Sequence, residues 1–163
     1  MSLRWRVVLG VVVLLTSIFI AAKVRYSGRA LVKLPPTNCN ADLWNRVYEK
    51  NRLRVVEECT SVEGRVVSLH QSKDGDLHIA LDPEAKSVLN LINAIHAHRR
   101  LVVEAVCDHA PQRQEAIHAC AGFHSQITAP ALGDRVRVTG AYVVDRDNGW
   151  TEIHPVSRIE SLE

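Results

Sequence analysis

The C-terminal run GDRVRVTGAYVVDRDNGWTEIHPVSRI constrains the fold of this chain more than any other stretch. It covers residues 133–159, and it contains two segments of strand composition that flank the polar turn DRDNG. Such a pattern predicts an antiparallel hairpin, whose second strand carries Glu152 and His154. Because side chains two residues apart point to the same face of a strand, these two residues are the best candidates for chemistry in the chain.

Three further segments upstream of this hairpin have strand composition. The first is Val62–Leu69, and the second is Leu77–Leu81, in which apolar residues alternate with less apolar ones. The Asp74–Gly75 dipeptide between them is the strongest hairpin signal in the chain. The third segment, Arg100–Cys107, is almost wholly apolar, which is typical of a buried strand.

A helix is predicted over Pro111–Ala121, before the last two strands, Arg135–Val144 and Trp150–His154. The order strand, strand, strand, helix, strand, strand is that of the OB-fold. We therefore predict a mainly β protein, an OB-fold-like five-stranded barrel with a helix between strands 3 and 4. An open α+β sheet with the same order of strands and helix is the alternative. The barrel is favoured because Gly64 and Gly140 fall where tightly coiled strands need bends.

The N-terminal 26 residues predict a transmembrane helix that acts as an uncleaved signal anchor. Val7–Ala22 holds no charged residue, and basic residues flank it on both sides. Trp5 and Tyr26 lie at its edges, where amphipathic rings favour lipid headgroups, and they extend the segment to the roughly 20 residues of a span. A cleaved signal peptide and a buried core helix are the alternatives. Cleavage after Ala22 is disfavoured because Ile20 does not fit the small-residue rule.

The chain divides into three predicted parts: a signal anchor (residues 1–26), a linker with a short helix (residues 27–52) and an OB-like globular domain (residues 53–163). Four of the 20 basic residues and no acidic residue lie in the anchor. The rest of the chain therefore holds 16 basic and 18 acidic residues, a net charge of −2. A slightly acidic domain has no general attraction to phosphate backbones, so nucleic acid is disfavoured as a partner.

Four cysteines follow the anchor: Cys39, Cys59, Cys107 and Cys120. Their number is even, and none belongs to the CxxC pair of a zinc ribbon or a thioredoxin site. Behind an export segment, disulfides are the expected state, and of three possible pairings we favour Cys107 with Cys120 and Cys39 with Cys59. Reduced core cysteines are the alternative. Disulfides favour a single-pass protein of the inner (cytoplasmic) membrane whose globular domain is extracytoplasmic, in the periplasm or at the cell surface.

The pieces DGDLHIALDP, LVVEAVC and VTGAYVVDRDNGWTEIHPV resemble segments of an uncharacterised family of exported bacterial OB-like domains with a C-terminal GWxEIHPV motif. The resemblance covers about residues 53–160 and implies a bacterial origin, without an established activity. The positions that match the family's motifs are Asp74, Gly75, Asp76, His78, Glu104, Cys107, Cys120, Trp150, Glu152, His154 and Pro155.

Glu104 and two histidines form the candidate metal site. Glu104 interrupts an apolar strand, and because an unpaired buried carboxylate is costly, it needs a partner. His78 lies on the neighbouring strand of the predicted barrel, and His154 lies on the same face as Glu152. If these residues converge, two histidines and one carboxylate match the ligand set of zinc or iron centres with an open position. A buried Glu–His pair that fixes strand register and a metal-free acid/base site are the alternatives.

These features favour a membrane-tethered, extracytoplasmic binding or scaffold module whose ligand is a protein or a small molecule. No serine, cysteine or lysine nucleophile has a recognisable catalytic context. The first alternative is a metal-dependent, hydrolase-like enzyme that uses zinc or iron at His78, Glu104 and His154. The second is an oligonucleotide-binding OB domain, which the lack of aromatic stacking platforms disfavours.

Overall fold

The structure, a computed structural model, describes residues 39–163. The predicted signal anchor (residues 1–26) and residues 27–38 of the predicted linker lie outside this range. No helix within the described range combines the length and the apolar character that crossing a membrane requires. Strands make up 42% of the described residues and helices 20%, which confirms the prediction of a mainly β protein.

Five strands form one sheet. They are β1 (Leu53–Gln71), β2 (Leu77–Pro83), β3 (Leu101–Ala105), β4 (Arg135–Asp145) and β5 (Thr151–Ser161). β1 pairs with β2 on one side and with β4 on the other, β3 lies between β2 and β5, and the pairing of β4 with β5 completes the ring. Only the β3–β5 pair is parallel. The sheet is therefore closed, and the alternative of an open sheet does not apply.

Two glycines allow neighbouring strands of this ring to approach closely. Gly64 lies where β1 changes from pairing with β4 to pairing with β2. A Cβ atom there would lie 2.5 Å from a backbone carbonyl oxygen of β2. Gly140 lies where the register of β4 against β5 shifts, and a Cβ atom there would lie 2.5 Å from a carbonyl oxygen of β5. Both glycines therefore occur at sites where any side chain would separate two strands.

Apolar residues form two clusters, one on each face of the closed sheet. The main core takes residues from all five strands: Val62, Val66, Leu77, Ile79, Leu81, Leu101, Val103, Ala105, Val136, Val138, Ile153 and Val156. The second cluster joins the outer face to the segment before β1 and to the loop after β3: Leu43, Val47, Leu53, Val106, Cys107, Ala141 and Val143. The segment of residues 39–52 thus packs against the outer face of the sheet.

That segment contains two 3-10 helices, Ala41–Arg46 and Lys50–Arg52. The sequence predicts one short helix from Asp42 to about Asn51. The structure divides it because Val47 is extended and ends the first helix. Leu43 and Val47 are buried, as the apolar side of the predicted helix requires.

The connection from β2 to β3 holds a 3-10 helix (Lys86–Val88) and α1 (Leu91–His96). Asn93 of α1 is fully buried, and its side chain accepts a hydrogen bond from the backbone N–H of Thr151 (3.0 Å) and donates one to the Thr151 carbonyl (2.9 Å). This pair of bonds fixes the start of β5, the strand that carries Glu152 and His154.

The connection from β3 to β4 contains the predicted helical segment, but it is shorter than Pro111–Ala121. It consists of a 3-10 helix (Gln114–Ala116) and α2 (Ile117–Cys120). The backbone N–H groups of residues 112 and 113 both donate to the carbonyl of Lys73, at 2.8 Å. Because these residues bind the β1–β2 turn, the helix begins later than its proline suggests.

Both predicted disulfides are present. Cys39–Cys59 joins the segment before β1 to β1 itself, and Cys107–Cys120 joins the loop after β3 to α2. The Cα atoms of each pair lie 5.5 Å apart. All four cysteines of the chain are therefore paired, as the sequence predicts.

Candidate functional site

Three neighbouring strands bring the predicted site residues together. His78 of β2 is paired in register with Glu104 of β3. β3 runs parallel to β5, with Val102 opposite Glu152, so that His154 follows at the level of Glu104. Since residues two apart share a face of a strand, all four ionisable side chains lie on the same face of the sheet.

This face is the outer one. The chain neighbours of the site residues belong to the main core inside the closed sheet, namely Ile79, Val103 and Ile153. Val143, the cross-strand partner of Glu152, belongs to the second cluster. Glu104 is only 2% exposed, and Glu152 and His154 are 0% exposed. The site is therefore buried beneath the segments that cover the sheet from outside.

His154 lies between two carboxylates. Its Nδ1 atom is 2.9 Å from Oε2 of Glu104 and 3.2 Å from Oε1 of Glu152. The other oxygen of Glu152 accepts a hydrogen bond of 2.9 Å from the indole N–H of Trp150. Both carboxylates thus accept from the Nδ1–H side of the ring, and Nε2 points elsewhere.

Asp76 faces the Nε2 side of the His154 ring. One oxygen, Oδ1, accepts a hydrogen bond from the backbone N–H of Cys107 at 2.9 Å. The other, Oδ2, lies 3.7 Å from Nε2 of His154, which is beyond hydrogen-bond distance. Neither Oδ2 of Asp76 nor Nε2 of His154 has a hydrogen-bond partner among residues 39–163, although both atoms are buried.

Sequence reasoning does not assign Asp76 to the site. The residue belongs to the DGD turn, in which Gly75 adopts a positive φ of 103°. The backbone carbonyl of Asp76 accepts a hydrogen bond from the backbone N–H of Ser72. This turn and the loop after β3 together bury the Asp76 carboxylate. The signal in the sequence is its spacing of two residues before His78, which repeats the spacing of Glu152 and His154.

Arg52 borders the site. Its guanidinium lies 3.5 Å from Oε2 of Glu104 and also donates to the carboxylate of Asp145, at the end of β4. Asp145 in addition accepts from the backbone N–H of Asp147, at 2.8 Å, and so closes the β4–β5 turn. Sequence reasoning misses both residues, although an aspartate that opens a turn typically accepts such bonds.

Glu104 and His154 form a buried ion pair. Burial by itself would raise the pKa of Glu104, but the charge of His154 and the hydrogen bond to it outweigh burial and lower this pKa to about 2. Burial would lower the pKa of His154, but the carboxylates of Glu104 and Glu152 outweigh it and raise this pKa to about 10. At neutral pH Glu104 is therefore negatively charged and His154 is positively charged.

The two other carboxyl groups at this imidazole, those of Asp76 and Glu152, have raised pKa values, whereas that of Glu104 is lowered. Burial raises the pKa of Asp76 to about 7, although the charge of His154 and the N–H of Cys107 act against it. Burial also raises the pKa of Glu152, with the negative charge of Glu104 adding to the effect. The cluster therefore holds more acidic groups than its positive charges balance, and protons compensate part of the difference.

Glu104 lies near both histidines that the sequence predicts as metal ligands. Its Oε2 atom is 2.9 Å from Nδ1 of His154 and 3.5 Å from Nε2 of His78. The side chain of His78 is 33% exposed, so this histidine lies at the edge of the site. The described residues that place one potential ligand atom each within 4.8 Å of one another are Asp76, Glu104 and His154. Asp76, Cys107 and Cys120 meet the same distance, but the sulfur atoms are joined in a disulfide and supply no thiolate.

Two surface grooves lie away from this cluster. One, of about 360 Å³, adjoins the Cys39–Cys59 disulfide and is lined by Trp44 and Pro155 among others. The other, of about 310 Å³, lies between residues 123–128 and the second half of β5. Both provide concave surface on the outer side of the sheet.

No protein-family model and no curated protein sequence matches this chain.

Proposed function

We propose that this protein is a membrane-tethered, extracytoplasmic binding module built on an OB-type barrel. The ring order β1-β2-β3-β5-β4 with a helical segment between β3 and β4 supports the OB assignment. The mix of one parallel and four antiparallel pairs agrees with it. OB-type barrels bind their ligands at the outer surface of the sheet, which is the face that carries the buried cluster.

The proposed location rests on the N-terminal sequence and on the cysteines. The sixteen uncharged residues of Val7–Ala22, between basic flanks, support a single membrane anchor. Two disulfides support an oxidising compartment, since cytosolic thiols are kept reduced. The proposed partner of the anchor is therefore the inner membrane, and the globular domain extends on its outer side.

The observation that carries the binding function is the pair of orphaned polar atoms in the buried cluster. Buried polar atoms in folded proteins nearly always have a hydrogen-bond partner. Four buried side-chain atoms of residues 39–163 lack such a partner, and two of them, Oδ2 of Asp76 and Nε2 of His154, face each other; the other two are Nε2 of His78 and Nδ1 of His109. A bound ligand between them would satisfy both atoms, which is why we assign the site to binding.

A metal-dependent hydrolase is the second candidate. The pKa of Asp76, raised to about 7 by burial, is the observation that favours it, since a general base works best near the operating pH. The burial of the cluster argues against a hydrolase, because a substrate must touch the reacting atoms and the carboxylates and imidazole are almost fully covered; by the same argument, a ligand bound between Asp76 and His154 must be small. Oligonucleotide binding has less support, because every Phe, Trp and Tyr among residues 39–163 is partly buried, so none offers a fully exposed ring for bases to stack on.

Cell fractionation of the full chain in a Gram-negative host tests the proposal. We expect the protein in the inner-membrane fraction and its globular domain digested by protease added to spheroplasts. The matched control carries Leu14→Lys and Leu15→Lys, because each lysine at the centre of a span costs about 3 kcal/mol and should release the protein from the membrane. A domain that stays protected in spheroplasts, or a control variant that fractionates like the wild type, would refute the tethered, exported location.

A further inference from the structure

We propose that the space between Nε2 of His154 and Oδ2 of Asp76 binds a divalent transition-metal cation, zinc or ferrous iron. This inference rests on the proposed binding function and names the class of ligand. The direct ligands are His154 and Asp76, and Glu104 positions the ring of His154.

The distance between the two atoms suits a shared ion. Zinc binds imidazole nitrogen and carboxylate oxygen at about 2.0–2.2 Å, so two ligands of one ion lie about 3–4 Å apart. Nε2 of His154 and Oδ2 of Asp76 are 3.7 Å apart. This separation is too long for a hydrogen bond and falls within the range for two ligands. The imidazole is fully buried, and its Nε2 atom faces the Asp76 carboxylate without a hydrogen-bond partner among residues 39–163.

The opposite side of the ring is arranged as metal-bound histidines require. Such a histidine donates its second N–H to a carboxylate, which fixes the tautomer and leaves the other nitrogen free for the metal. Nδ1 of His154 lies 2.9 Å from Glu104 and 3.2 Å from Glu152. At neutral pH the charged ring also carries a proton on Nε2, which a bound metal ion displaces into solvent, while the two carboxylates keep the proton on Nδ1 and direct Nε2 toward Asp76.

The charges around the ring also favour a cation. Asp76, Glu104 and Glu152 all approach His154. The nearest guanidinium, that of Arg52, is shared between Glu104 and Asp145. A dication at Nε2 would offset this excess of acidic groups. Because the donors combine imidazole and carboxylate, zinc or ferrous iron fits better than calcium or magnesium, which take oxygen ligands.

His78, the second histidine of the predicted metal site, does not face the space between His154 and Asp76. Nε2 of His78 lies 3.5 Å from Oε2 of Glu104, but His78 belongs to neither group of three described residues whose ligand atoms all lie within 4.8 Å of one another. We therefore assign it no bond to the ion. This difference makes His78 the matched comparison for the ligands.

The test is a metal titration of the full chain, purified in mild detergent and freed of metal with a chelator. Bound zinc is counted by mass spectrometry of the metal, and cobalt(II) replaces zinc to report the ligands by absorption. We expect one ion per chain, and no binding by His154→Gln. We expect Glu104→Gln to weaken binding by about 10–100-fold, the usual effect of losing the carboxylate partner of a ligand, and Asp76→Asn, which removes a direct ligand, to weaken it at least as much. His78→Gln should weaken binding less than Asp76→Asn, and His118→Gln, at an exposed histidine, should leave the affinity unchanged.

Some variants of buried residues lose their fold, so the wild type provides a second readout. An ion that binds only the folded protein raises its midpoint of thermal unfolding, and zinc should do so while the chelator reverses it. A wild-type chain without stoichiometric zinc, iron or cobalt and without this shift would overturn the inference. Weakening by His78→Gln equal to that by Asp76→Asn would also overturn the ligand assignment. A metal-free chain that is still exported and membrane-bound refutes this inference alone, and the fractionation result stands separately.

Discussion

His154 meets different surroundings at its two ring nitrogens. Nδ1 faces the carboxylates of Glu104 and Glu152, while Nε2 faces Asp76 without a hydrogen bond. Through Nδ1 the ring takes part in an ion pair, and through Nε2 it is a candidate ligand of a metal ion. One residue thus connects the stability of the outer face with the proposed binding function.

Glu104→Gln should destabilise the folded protein strongly. The substitution keeps the size of the side chain but leaves the charge of His154 buried against a neutral amide. Removing one partner of a buried ion pair typically costs roughly 3–5 kcal/mol. The measurement is the free energy of unfolding from urea denaturation of the chelator-treated protein.

Asp82→Asn is the control for this prediction. Asp82 is 41% exposed at its side chain and pairs with Lys86 and Arg100 at the surface. Exposed ion pairs contribute about 0–1 kcal/mol, so this variant should remain close to wild type. Equal losses in the free energy of unfolding for the two variants would contradict a buried ion pair between Glu104 and His154.

The sequence identifies part of this site and misses the rest for a physical reason. Glu104 is recognisable because it interrupts an apolar strand, and the strand order predicts that His78 lies opposite it. Asp76 looks like an ordinary turn residue. Its burial depends on the backbone of Cys107, which lies 31 residues away. No local pattern reports a contact of that kind.

At the scale of elements, strand boundaries are harder to predict than the order of strands. β1 begins at Leu53 rather than at Val62, and β5 continues to Ser161 rather than ending at His154. The first part of β1 contains exposed charged residues and lacks a buried-strand pattern. It is a strand because β4 supplies hydrogen-bond partners from Leu53 onward, which is a tertiary effect.

Gly64→Ala tests the close strand contact in β1. The added methyl group would lie 2.5 Å from the carbonyl oxygen of Asp82 and 2.8 Å from the side chain of Leu81. Because the first of these atoms is backbone, two strands must move apart, and overpacking of this kind costs about 1–3 kcal/mol. Ser68→Ala, at an exposed position of the same strand, is the control and should change stability little. Urea denaturation of both variants measures the difference, and a neutral Gly64→Ala would contradict the close contact.

At the scale of the whole molecule, the sequence predicts the number and order of the strands and both disulfides. Closure of the ring follows from the strand order by analogy with known barrels, but the ring also needs the pairing of β1 with β4, which joins segments far apart in the chain. The sequence predicts even less well that the segment before β1 covers the outer face of the sheet. Residues 39–52 have the composition of a linker, and they pack on the sheet through Leu43 and Val47.

Each disulfide secures one of the covers of the outer face. Cys39–Cys59 attaches the segment before β1, and Cys107–Cys120 closes the loop whose backbone binds Asp76. Both covers exclude water from the cluster, and a low-dielectric surrounding strengthens the interaction of Glu104 with His154. The buried ion pair is therefore a property of the assembled molecule as well as of its two residues.

The pH dependence of unfolding reports whether Glu104 and His154 form this ion pair in the folded protein. The pKa of His154 is raised from 6.5 to about 10, so its contribution to stability is complete below pH 6.5 and is lost as the pH rises to 10. The pKa of Glu104 is lowered from 4.5 to about 2, so its contribution is present above pH 4.5 and is lost as the pH falls to 2. Asp76, with a pKa raised from 3.8 to about 7, adds a decline as the pH rises between those values.

The measurement is the free energy of unfolding of the chelator-treated wild type by urea, from pH 3 to pH 10. We expect the free energy of unfolding to be highest near pH 4.5 and to fall by several kcal/mol as the pH rises to 10, because the raised pKa values of Asp76 and His154 both act in this direction. A free energy of unfolding that is constant or rises between pH 6.5 and 10 would contradict a buried, charged His154.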